Sequence, residues 1–289
     1  MQINANIMGS VVWWYFRNVK VTRTWFSNAL DANGFDGKRF AKPHPMKSAL
    51  CRSLELLAES RIIKKVSEDN IRLVYQFTAE TLVQDVENPF LHYESEAVIH
   101  ISKQVWGESG DFSKSITKCP DELKGFLVEK FEIAKETFDS NDVTRYVKII
   151  LETEADICSI RDGGSVYFVP AEFSGVVERI DKVLRSIPKE NGSAKMDYLI
   201  IPDIESSRVM ISANVIREIS AILDEIDNET MNLVNEVTQV WVKHRKKTLE
   251  NTASRIKLYA EIIGEMATGM TGRCQTLIKN LDTVKVKEQ

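Results

Sequence analysis

The clearest pattern in the chain lies at its C-terminal end. After Pro202 there is no proline, and no glycine before Gly264. Val215, Ile219, Ile222 and Ile226 are spaced by four, three and four residues, and Leu233, Val237 and Val240 continue in the same phase. A second series runs Leu249, Ala253, Ile256, Ala260, Ile263, Ala267, Met270, Cys274, Leu277, Leu281 and Val284, alternating four and three throughout. That alternation places one apolar stripe along a helix and is the spacing of a coiled-coil seam. The two series fall out of phase across Trp241–Thr248. One straight helix over 211–285 would be about 110 Å long at 1.5 Å per residue. The phase break therefore predicts two helices folded back on each other within 206–289, with Leu249, Ile256, Ile263, Met270, Leu277 and Leu281 in the seam. The reversal is placed at Lys243–Lys247, with Asp227–Glu229 as the alternative.

The preceding 205 residues alternate between strand and helix signals. Val11–Phe16 is aromatic and β-branched and predicts a buried strand. Thr22 caps a helix through Leu30 that stops near Asn33-Gly34. Pro43 and Pro45 break the chain, and 46–59 follows as a helix with Met46, Leu50, Leu54 and Leu57 on one face. Ile62–Val66 and Ile71–Phe77 flank a polar turn and predict a hairpin. Leu91–Tyr93 and Ala97–Lys103 form a second candidate pair, and Gly107–Lys118 has the composition of an exposed loop. A helix is predicted from Pro120, a second from Asn141-Asp142. Ser165–Val169, 172–187 and Met196–Ile201 then form a strand–helix–strand unit. The prediction is an α+β fold with a mixed or antiparallel sheet body, followed by a long antiparallel helical hairpin. The expected regions are 1–119, 120–205, joined with the first in one body, and 206–289.

Composition changes this picture little. Hydrophobic residues make up 43% and charged residues 28%, ordinary for a globular chain. The net charge of −4 is mild. Residues 1–60 hold eight Lys/Arg against four Asp/Glu, 120–210 twelve against eighteen, and the last 79 eleven of each. None of these reaches the basicity of a dedicated nucleic-acid binder. Cys51, Cys119, Cys158 and Cys274 are far apart and form no CxxC pair, which fits free thiols in a reducing compartment. The start lacks a basic segment, and Val11–Phe16 is too short for a membrane span. The expected location is cytoplasmic, away from membranes.

Candidate chemistry is sparse. Arg161, Gly163 and Gly164 could present backbone amides to an anion, but the glycines precede a strand instead of opening a helix, as a tight turn would. His44, His92, His100 and His244 have no metal spacing. His92 and His100 could meet across a hairpin, with Glu94 and Glu96 between them. The carboxylates Asp139, Asp142, Glu152, Glu154 and Asp156 read as a solvated helix surface. No GxSxG elbow or Cys–base signature is present. Lys243, His244, Arg245, Lys246 and Lys247 beside Trp241 form the densest basic cluster, suited to phosphate or an acidic partner at a hairpin tip. Trp13–Phe16 reads as core, with an interface as the alternative.

The stretch Val11-Val12-Trp13-Trp14-Tyr15, followed by a helix and the Pro-flanked Lys42–Leu50 segment, resembles the start of a family of uncharacterised bacterial, archaeal and phage proteins. Ile160–Pro170 resembles that family's central GG-x-YFVP stretch, and the C-terminal helices fit its layout. The resemblance implies no activity, but it implies a phage or mobile-element setting. The functional expectation is an interaction or assembly protein, oligomeric through its helical seam, with no catalytic residue, cofactor or metal assigned. Its partner would be itself or another protein. Nucleic-acid binding through the basic cluster and an enzyme built from distant residues are the alternatives.

Overall fold

The structure is a computed structural model describing residues 6–58, 61–83, 90–104, 111–161, 165–233 and 236–286. The chain divides into two compact units, one of residues 1–17, 145–189 and 193–289, the other of 18–144 with 190–192.

Strand β1 (Ile7–Arg17) belongs to the first unit, and the chain then enters the second. There, strand β2 (Lys20–Thr22) leads into helix α1 (Arg23–Ala32), whose first turn is capped by Thr22 Oγ1 accepting the Trp25 N–H. A one-turn helix α2 (Gly37–Phe40) and helix α3 (Met46–Leu57) follow. Strands β3 (Arg61–Glu68), β4 (Arg72–Val83) and β5 (Phe90–Ser102) form an antiparallel meander. The short helix α4 (Phe112–Ser115) and strand β6 (Ile116–Lys118) complete a sheet of order β3-β4-β5-β6. Helix α5 (Asp121–Glu136) and strand β7 (Thr137–Asp139) come next, and β7 pairs with β2. Helices α3 and α5 pack with the sheet around Leu50, Leu73, Phe77, Ile99, Ile101, Leu127 and Phe131. Phe112 and Phe131 stack at 3.9 Å.

Two expectations change here. Leu91–Tyr93 and Ala97–Lys103 are not a hairpin: both lie in β5, which pairs with β4 along its length. His92 therefore faces Thr81, and His100 faces Val74, in the same ladder. The loop expected over 107–118 is structured from Phe112, because Phe112 and Ile116 are buried in the sheet's core.

Helix α6 (Ser140–Glu154) carries the chain into the first unit. Strands β8 (Cys158–Ser159) and β9 (Val166–Pro170), helix α7 (Ser174–Arg185) and strand β10 (Ser193–Pro202) follow. The sheet order is β10-β1-β9-β8. The strand–helix–strand unit is thus split, with β1 antiparallel to both flanking strands. Trp14, on one face, stacks on Tyr167 at 5.4 Å. From the other, Phe168 and Ile201 join the core of the C-terminal helices.

Those helices are α8 (Glu205–Met231), α9 (Gln239–Leu258), the one-turn α10 (Ala260–Ile263) and α11 (Met266–Asp282). They pack antiparallel in sequence, but there are three long arms instead of two. Arg255 on α9 meets Glu218 on α8, while Arg245 meets Glu229, so α9 runs back along α8. Lys246 pairs with Asp282, so α11 runs back along α9.

The reversal expected at Lys243–Lys247 is a mid-helix segment of α9. The alternative at Asp227–Glu229 lies inside α8, which runs on to Met231, and α9 begins at Gln239, so the reversal falls between these two helices. Thr238 caps α9 by accepting the Trp241 N–H. The phase break arose because Val240 is 73% exposed and not a seam position, while Val242 is buried. Val242, Leu249, Ile256 and Ile263 are buried seven apart. The second turn interrupts the expected arm 249–284 at Gly264, which has φ +58, a backbone that favours glycine.

Candidate functional site

The apolar seam lies inside the chain. Leu249, Ile256, Ile263, Met270, Leu277 and Leu281 are all buried, in one core with Ile211, Val215 and Ile219 of α8. Within the chain these six side chains are already covered by the neighbouring helices.

Strand β10 differs. It is the end strand of its sheet, and no strand among the described residues pairs with its outer side. Its centre is apolar and open: Tyr198 is 51%, Leu199 61% and Ile200 54% exposed. Ile7 on the neighbouring strand and Ile204, Val209 and Met210 just after β10 are exposed as well. Solitary exposed apolar residues are common, whereas several along one open edge mark a contact surface. A groove of about 230 Å³ lies beside the edge, between Ser10 on β1, Val177 and Glu178 on α7, and Tyr198 and Ile200.

Two hydrogen bonds fix which backbone groups face outward. The Met196 N–H donates to Asp181 Oδ1 on α7 at 3.4 Å, away from β1. The Asp203 N–H donates to Asn6 O at 2.7 Å, on the β1 side. Because successive residues alternate sides, Tyr198 and Ile200 point their N–H and C=O groups outward. Asp181 occupies the next outward N–H on one side, and Pro202 has none on the other.

The basic cluster is divided. Helix α9 carries six Lys/Arg against one Glu, and α8 six Asp/Glu against two Arg. Arg245 reaches Glu229 at 2.5 Å and Glu225 at 3.6 Å, and its guanidinium lies 6.0 Å from the Trp241 ring. Lys246 pairs with Asp282. Lys243, His244 and Lys247 are exposed on the outer face of α9. Of the anion-turn candidates, Arg161 is exposed, and Gly163 and Gly164 lie outside the described residues.

Two ion clusters, one partly buried and one around the buried Asp142, bring together residues far apart in the sequence. In the first unit, Arg255 Nη2 is 2.6 Å from Glu218 Oε2 and donates to Ile157 O at 2.7 Å. Its Nε lies 3.0 Å from Asp156 Oδ1 at an angle that makes no hydrogen bond. Glu218 Oε1 accepts the Ser159 N–H at 2.7 Å, and the Tyr259 hydroxyl donates to Asp156 O. Burial pushes the Asp156 carboxyl above its ordinary value, more than Arg255 lowers it. Burial also pushes the neighbouring Cys158 thiol up to about 12, so it is not a thiolate nucleophile at neutral pH. The cluster ties the 156–159 segment to α8 and α9.

In the second unit, Asp142 is buried, not part of the solvated surface expected for the 139–156 carboxylates. Arg52 grips it with two bonds of 2.6 and 2.9 Å, and His44 Nε2 lies 3.2 Å from Oδ2. Asp142 Oδ2 also accepts the Asp139 N–H, while Asp139 Oδ1 accepts the N–H groups of Asn141 and Asp142 and caps α6. Burial pushes the Asp142 carboxyl up, but His44, the Asp139 N–H and Arg52 together hold it well below the carboxylate range. Arg52 and Asp139 also border an open cavity of about 530 Å³ with Lys20 and Glu55. His44 is sealed from that cavity, with 1% of its side chain exposed, and no hydroxyl or thiol among the described residues bonds to it. The arrangement fits a structural tie from α3 to α6, not acid–base catalysis. His44 and Arg52 lie about ninety residues from Asp142, so no local motif connected them.

The chain belongs to a family of unknown function, DUF6744. The match spans residues 7–289, including both stretches that carried the resemblance. A search of curated proteins and a search of solved structures each found no match. Among the described residues of this DUF6744 chain, no helix is long and apolar enough to cross a membrane.

Proposed function

We propose that this DUF6744 protein is an interaction or assembly protein that works by docking another protein chain on the open edge of β10. The observation that carries the reading is the exposed run Tyr198-Leu199-Ile200 on an unpaired strand. An extended partner segment would gain main-chain hydrogen bonds from the edge and bury the apolar side chains beside it. The expected oligomer is retained, and its surface moves from the helical seam to the sheet edge. A phage or mobile-element setting belongs to this reading as the sequence resemblance implies it, and a cytoplasmic setting as the four unpaired cysteines suggest it.

The test is affinity purification from the native host with the wild-type chain and Leu199→Asp in parallel, nuclease-treated and read by mass spectrometry. Loss of associated chains in Leu199→Asp, with an unchanged melting curve, supports the reading. Associated chains that ignore the substitution overturn it.

The nucleic-acid alternative is weaker, since Arg245 and Lys246 are held in ion pairs within the chain. Gel shifts at low salt with Lys243→Glu/Lys247→Glu would detect it, because phosphate contacts are steeply salt-dependent.

A further inference from the structure

We infer that the partner on the β10 edge is a second copy of this chain, paired antiparallel and centred on Leu199. The inference rests on the docking role proposed for that edge and adds its occupant and register.

The backbone selects the register. Tyr198 and Ile200 carry the free outward groups, and the run is closed by the Asp181-bound Met196 N–H and by Pro202. Two β10 strands related by a two-fold axis at Leu199 set Tyr198 opposite Ile200 of the other copy, and the reverse. Each such pair exchanges two N–H···O=C bonds, making four in all. Every outward group of both residues is then satisfied, and neither Met196 nor Pro202 is asked for a donor it cannot supply. A two-fold axis at Tyr198 would oppose Ile200 to Met196, and one at Ile200 would oppose Tyr198 to Pro202. Each leaves a carbonyl without a donor in both copies.

Charge agrees with that register. Lys195 stands four residues before Leu199, and Asp203 four residues after. Centring on Leu199 sets Lys195 of each copy opposite Asp203 of the other, an opposite-charge cross-strand pair at both ends. Within the chain these residues are partly exposed, Lys195 beside Asp197 and Asp203 beside Arg208. The isologous contact is closed, so it yields a dimer and not a filament. On the α7 face, the second copy's Tyr198 and Ile200 come to lie beside the groove between Ser10 and Val177.

The area is of the right order. The seven exposed apolar side chains of the edge and its flanks are each 39–61% exposed. At about 200 Å² for a fully exposed large side chain, they expose roughly 700 Å² in all, a ceiling on the apolar area the pairing can cover beside the roughly 800 Å² per partner of a stable interface.

The experiment uses the purified full-length chain with Cys51→Ser and Cys119→Ser, which removes the two cysteines that are not buried. Single cysteines are placed at Tyr198, Leu199 or Ile200, and disulfide formation is followed under mild oxidation beside sedimentation equilibrium of the uncrosslinked protein. The expected result is a dimer that Leu199→Asp weakens by at least about tenfold, with Leu199→Cys crosslinking fastest. Lys195→Asp should weaken the dimer, and Lys195→Asp/Asp203→Lys should restore it. Fastest crosslinking at Tyr198→Cys or Ile200→Cys overturns the register. A monomer with no crosslink overturns self-pairing. If host associations of that monomer still depend on Leu199, the docking reading stands without it. If they do not, both fall.

Discussion

The helical seam and the β10 edge belong to the same unit and are both rich in large aliphatic residues, yet they have opposite fates. The seam residues recur every three and four positions, so a helix gathers them on one side and the neighbouring arms bury them. Tyr198, Leu199 and Ile200 are consecutive, so a strand must send them to both faces. In a central strand covered on both sides such a run would be buried. At the end of this sheet it stays open. Regular apolar periodicity marks where a chain meets itself, whereas an aperiodic apolar run on an edge marks where it is available to something else.

The comparison breaks most sharply by charge insertion in the seam. Ile256→Asp buries an unpaired carboxylate in the core and should cost more than about 4 kcal/mol, read as loss of cooperative unfolding by calorimetry. Arg255→Ala should follow, at about 1–3 kcal/mol in denaturant unfolding, because it strands Glu218 and Asp156 partly buried and leaves Ile157 O without its donor.

Asp142 in the second unit provides a control that should leave the edge untouched. Its folded pKa is depressed below 3.8. Its contribution is therefore present above the unfolded value and lost as pH falls through the folded one. A stability–pH curve should show on the order of 2 kcal/mol lost below about pH 4, a loss absent in Asp142→Asn. Gly264→Ala should cost about 1–3 kcal/mol, wholly from backbone strain at φ +58, since a Cβ there meets nothing within 4 Å. Leu199→Asp should change the stability of the isolated chain least, within about 0.5 kcal/mol.

Much of the fold was legible because local rules agreed. Thr22 capped its predicted helix, Leu50 and Leu54 faced inward, and β3 and β4 met across their polar turn. The failures were also local. Val240 imitated a seam position from an exposed site, and its phase concealed the Asn232–Thr238 turn. The second turn was concealed because Ala260–Ile263 keeps helical spacing through it, although Gly264 after a long glycine-free stretch was the available signal. The candidate surface was half legible: Met196–Ile201 read correctly as a strand, but nothing local states that β1 inserts beside it and leaves it at the edge. The Asp142 and Arg255 clusters join residues dozens of positions apart, which a single sequence does not connect.

Hydrogen exchange on the concentrated wild-type chain beside Leu199→Asp tests the contrast between edge and seam most directly. The account predicts that the Tyr198 and Ile200 amides exchange more slowly in wild type, while amides across Leu249–Ile256 are equally protected in both. Equal exchange at Tyr198 and Ile200, or a difference confined to the seam helices, would contradict it.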